Sequence, residues 1–214
     1  MPAKPRLHSP EDDLAFMRSI VEGGGRPPMT LAICYLAGGL LYGLQCLFHV
    51  GQATGLIRWP DLANLAFVVG ISVVFLSILT WAILKDRQNG PSNRGPMAAR
   101  SLNAAFSATG MANCAVIIVF GVGAYRDQDF AIWLYYAAIV FALQAAAWYM
   151  AWTLKRKGWM LATALGGWAT AVALGLLVRE PFWYLGVCTV ACFALFALPG
   201  WVLFRDARAA PKGA

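Results

Sequence analysis

Between Arg26 and Arg58 the chain carries no charged residue. That run is longer than the roughly 20 apolar residues an α-helix needs to cross a bilayer. The pattern recurs along the chain and predicts spans over residues 30–51, 62–84, 101–124, 130–153, 159–178 and 182–204. None of these spans contains Asp, Glu, Lys or Arg. Short polar turns separate them: Arg58 to Asp61, Gln88 to Pro96, Tyr125 to Asp129, Lys155 to Lys157 and Arg179 to Pro181. The expected fold is an all-α membrane protein, a six-transmembrane-helix bundle made of three helical hairpins. Residues 29–204 form the membrane domain and residues 205–214 a short tail.

The N-terminal segment, residues 1–28, shows a different pattern. Leu14, Met17 and Val21 share one helical face, widened by Phe16 and Ile20. Ser9 is placed to cap a helix over 10–22, Pro10 suits its first position, and Gly23 to Gly25 end it. This predicts a short amphipathic helix at the membrane interface, whose apolar face is a candidate docking surface for a partner.

Charge adds orientation. One set of span ends carries Lys4, Arg6, Arg18 and Arg26, then Lys85, Arg87, Arg94 and Arg100, then Lys155, Arg156 and Lys157, then Arg205, Arg208 and Lys212. The opposite set carries only Arg58, Arg126 and Arg179. Lys and Arg collect on the cytoplasmic side, so both termini are expected there, as an even number of spans requires. Trp59, Trp133 and Trp183 then mark the outer interface, and Trp81, Trp152, Trp159 and Trp201 the inner one. The expected location is a cell membrane, the inner membrane in a bacterium.

Composition agrees. The chain has 214 residues, 60% hydrophobic and 13% charged, with a net charge of +7. Soluble domains carry about 25% charged residues. The basic balance belongs to membrane orientation, and no nucleic-acid partner is expected. All five cysteines fall in predicted spans, which excludes a disulfide framework.

Uncharged spans argue against a proton pump, an arginine voltage sensor and carboxylate-pair catalysis. No nucleophile elbow, zinc-protease helix or phosphate-cradling glycine loop is present, so no catalytic residue is assigned. Tyr42, Gln45 and His49 share a helix face, and Asn64 lies at a similar depth, which makes these four a candidate ligand site. If spans one, two and six are neighbours, these groups line one outward-facing pocket, and His49 and Cys46, with the i,i+4 pair Cys188 and Cys192, are candidate ligands for Cu(I) or zinc. Asn103, Ser107, Asn113 and Gln144 are candidates for hydrogen bonds between helices. Small residues predict close helix packing at Gly39 and Gly43 in span one, at Ala105 and Thr109 in span three, and at Gly167, Ala171 and Gly175 in span five. Pro199 predicts a kink in span six.

The leading expectation is a non-catalytic polytopic protein acting as an accessory, assembly or sensory subunit of a larger membrane complex. A second is a small-molecule or lipid binding or transport protein with an outward-facing site. A third is a metal- or redox-cofactor protein using His49 and the cysteines. No cofactor is expected beyond a bound lipid. The expected partners are membrane lipids, joined by another membrane protein or a second copy of the chain.

Overall fold

The computed structural model describes residues 29–88 and 97–209. The expected amphipathic helix, with Leu14, Phe16, Met17, Ile20 and Val21, lies outside these residues. Among the described residues all regular structure is helical: α1 (Met29–Ala53), α2 (Asp61–Gln88), α3 (Met97–Asp127), α4 (Phe130–Lys155), α5 (Gly158–Leu176), α6 (Pro181–Ala191), a π-helical segment (Cys192–Ala197) and α7 (Leu198–Ala209). The last three run as one continuous rod, which is span six. Six helices are long and apolar enough to cross a membrane, and they fit a multi-pass membrane helical bundle. Each begins and ends within a few residues of its expected span.

Local chemistry sets the turns. Asp129 caps α4 by accepting the Ala131 N–H at 2.9 Å, directly after Gln128 has taken a left-handed conformation to reverse the chain. Arg156 ends α4 in the same conformation, its N–H donating to the Trp152 carbonyl at 2.7 Å. Pro181 opens α6, where its missing N–H costs no hydrogen bond.

Span one is the hub. It packs against α2 on one side and along the whole of span six on the other. A second group is formed by α4 between α3 and α5, and α5 joins the two groups through span six. Two buried clusters follow. Near the chain ends, Ala32, Tyr35, Leu102, Trp148, Ala151, Met160, Ala164 and Leu203 pack together. Toward the opposite side, Ala138, Phe141, Leu174, Val178, Tyr184, Cys188, Ala191 and Cys192 do so. Spans two and three, by contrast, bury only Ala82 and Leu102 among the residues whose burial is described. In a bilayer such apolar faces meet lipid tails, which solvate them as well as protein does.

Small residues determine how close the helices come. A Cβ on Gly39 would collide with the backbone of Ala197, and one on Gly43 would sit 3.0 Å from the Phe193 ring. Gly200 meets the backbone of Leu36 from the other side. Gly167 abuts Ala145 of α4, and Ala171 packs against the second cluster. Gly175 has no neighbour within 4 Å of where a Cβ would stand. Ala105 and Thr109 are half-buried on α3, and the Thr109 hydroxyl donates to the Phe106 carbonyl of its own helix at 2.9 Å. Ala104, Ser107 and Ala108 on the same helix are exposed.

The distortion expected from Pro199 takes the form of the π-helical segment. Proline lacks an N–H and its ring crowds the carbonyl four residues earlier. Widening the preceding turns relieves this: the Leu198 N–H reaches back five residues to the Phe193 carbonyl. The same widening carries Phe193 to Gly43 and stacks Phe196 on Tyr35 at 5.3 Å.

Gly39→Val should lower stability by about 1–3 kcal/mol through overpacking against span six, read as the midpoint of thermal unfolding in mild detergent. Gly175→Ala should leave that midpoint unchanged or slightly higher. Equal losses in the two variants would contradict the packing described.

Candidate metal centre

Gly39, Gly43 and Cys46 follow one another up one face of α1. Where the two glycines draw span one onto span six, the next turn of that face presents Cys46 to the same neighbour. Span six answers with Cys188 and, one turn on, Cys192, where the π-helical segment begins. The Sγ atoms of Cys46 and Cys188 are 3.6 Å apart, and the three sulfurs all lie within 4.8 Å of one another. Cys188 and Cys192 are buried and Cys46 is half-buried. All five cysteines are free thiols, with Cys34 and Cys114 standing apart from this cluster.

The surroundings combine apolar side chains with tyrosines. The second buried cluster supplies Ala138, Phe141, Leu174 and Ala191, with Tyr42 packed at its edge. Tyr184 fixes span six against α4 by donating its hydroxyl to the Leu134 carbonyl at 2.6 Å. That bond leaves the Tyr184 O–H committed elsewhere.

The candidate ligand group read from the sequence divides in two. His49 is not among the clustered donors; its Nδ1 pairs with Gln52 Oε1 at 2.8 Å. Gln52 Nε2 then donates to Asn64 Oδ1 at 2.5 Å, tying the end of α1 to the start of α2. His49 and Asn64 are thus joined, through a residue the sequence reading did not single out. The signal was present, since Gln52 lies three residues beyond His49 on the same face. Tyr42 turns its ring to Phe75 at 5.3 Å. Gln45 has a buried Oε1 with no hydrogen-bond partner among the described residues, and Asn113 Oδ1 is in the same condition.

A second polar contact lies near the chain ends. Tyr35 donates its hydroxyl to Gln144 Oε1, linking α1 to α4. Its ring packs edge-on against Trp148 and Phe106, at 5.2 and 5.6 Å. Gln144 was expected to bridge helices; Tyr35, its partner, was not identified, although it precedes Gly39 by one turn on the packed face.

No family model, curated protein or solved structure matches this chain. Its chemistry therefore has to be read from the donors themselves. Three sulfurs bound to one ion at about 2.3 Å in a plane would stand about 4.0 Å apart. The Cys46–Cys188 separation of 3.6 Å is close to that value, and Cys192 lies within 4.8 Å of both.

Tyr35→Phe should cost about 0.6 kcal/mol, the average for a hydrogen bond between membrane helices. Gln144→Leu should cost a similar amount, and the double variant should cost less than the sum. A strictly additive cycle in thermal unfolding would deny the contact.

Proposed function

We propose that this chain is a multi-pass membrane protein with both termini cytoplasmic, serving as a non-catalytic sensory or accessory subunit whose ligand is a soft metal ion. The single observation that carries the reading is the Cys46, Cys188 and Cys192 cluster, with three sulfurs within 4.8 Å of one another. Soft thiolate donors select copper(I), zinc and similar ions over hard cations. The uncharged spans and the absence of a catalytic motif support a binding role in preference to an enzymatic one.

The orientation is supported by the distribution of bases. Lys85 lies over the Trp81 ring at 4.8 Å, Arg156 over Trp152 at 5.2 Å and Arg208 over Phe204 at 4.3 Å, all on the side of the bundle where α1 begins and α7 ends. Such aromatic–cation pairs suit a headgroup region. On the opposite side Arg126 is already paired with Asp127 at 2.7 Å. A reporter that fluoresces only in the cytoplasm should be bright when fused after Ala214 and dark when inserted after Gly55; the reverse would invert the topology.

For the ligand, the protein should be purified without oxygen from cells supplied with copper and zinc, and its metal content measured by mass spectrometry. An ion per chain is expected. Cys46→Ser, Cys188→Ser and Cys192→Ser should each lose it, while Cys34→Ser and Cys114→Ser should keep it. A metal-free wild-type chain would sink the metal reading. The accessory role has its own test: removing residues 9–22 should release a co-purifying membrane protein without changing the metal content.

A further inference from the structure

We infer that the sulfur cluster selects a monovalent d10 ion, copper(I) or its silver(I) analogue, and holds it in three-coordinate form while discriminating against zinc(II). This rests on the metal reading above and adds the valence and coordination number of the ion.

Donor number is the first argument. Among the described residues the group consists of three ligand atoms and no more. Zinc is almost always four-coordinate, and where proteins give it three ligands the fourth is water or substrate. Here the surroundings oppose both. Cys188 and Cys192 are each only 7% exposed, and they share their buried cluster with apolar side chains, among them Phe141 and Leu174. A bound water needs polar partners as well as room. On span six, the Tyr184 hydroxyl spends its proton on the Leu134 carbonyl and the Thr189 hydroxyl on the Leu185 carbonyl. His49, also on α1, pairs its Nδ1 with Gln52, which in turn donates to Asn64 in the contact between α1 and α2.

Geometry is the second argument. The cluster joins one sulfur from span one to two from span six, with Cys46 and Cys188 already 3.6 Å apart. A planar three-sulfur complex needs about 4.0 Å between its sulfurs, close to that separation. Ala138, Phe141 and Leu174, which α4 and α5 contribute to the same buried cluster, carry no donor atom for a tetrahedral site.

The test uses the full chain in nanodiscs. Copper(I) is titrated without oxygen against a chromophoric copper(I) chelator, zinc(II) against a chromophoric zinc chelator, and the copper-loaded protein is measured by X-ray absorption. The expected result is one copper(I) per chain, three sulfur neighbours at about 2.3 Å, and no zinc retained at matched chelator strength. Each serine variant of the cluster should weaken copper(I) binding by more than about tenfold. The spectrum of the wild-type protein carries the test even where a variant fails to fold. Zinc bound as tightly as copper(I), or a nitrogen neighbour in the copper spectrum, would overturn the inference and leave the metal reading standing. Failure to bind either ion would overturn both.

Discussion

The close approach of span one to span six is the constraint on which the rest of the bundle depends. Two packed helices normally lie 8–10 Å apart; here glycines on both partners let backbone meet backbone, at Gly39 against Ala197 and Gly200 against Leu36. In a bilayer no hydrophobic effect drives helices together, so such van der Waals contact is a main source of association. It also places polar groups. It sets Cys46 against Cys188, and it brings Tyr35 under Phe196 and within reach of Gln144.

Around this pair the protein solves two packing problems differently. Near the chain ends it uses large rings: Trp148 contacts Tyr35, Phe106 and Trp159 with centroids 5.2–5.3 Å apart. Toward the other side alanines and cysteines join Phe141 and Leu174, and Tyr184 anchors span six by a hydrogen bond to α4. The π-helical segment lies between these zones. Its extra width turns span six from one packing style to the other, and Pro199 makes a regular helix there unfavourable.

The sequence made some of this legible and hid the rest for physical reasons. Span number and boundaries follow from the length of uncharged runs, because the bilayer imposes one dimension on every crossing. That Gly39 and Gly43 would meet another backbone was readable, but which backbone was not, since helix order depends on all faces at once. Cys188 and Cys192 share a face by their spacing alone, whereas their union with Cys46 needed the neighbour relation between spans one and six. His49 was grouped with the thiols by depth; a nearby hydrogen bond to Gln52 took it instead. Tyr35 escaped notice because a tyrosine in an apolar run reads as a ring, and its hydroxyl becomes informative only when Gln144 is found above it.

The three sulfurs also impose an order on synthesis. Cys46 and Cys188 are separated by 142 positions, so span one enters the membrane long before its principal partner exists. Until span six packs, the glycine face of span one lacks the partner that Gly39 and Gly43 fit, and Cys46 stands without Cys188 and Cys192. The close packing of the bundle and the gathering of the three sulfurs are therefore completed together, by the last helix.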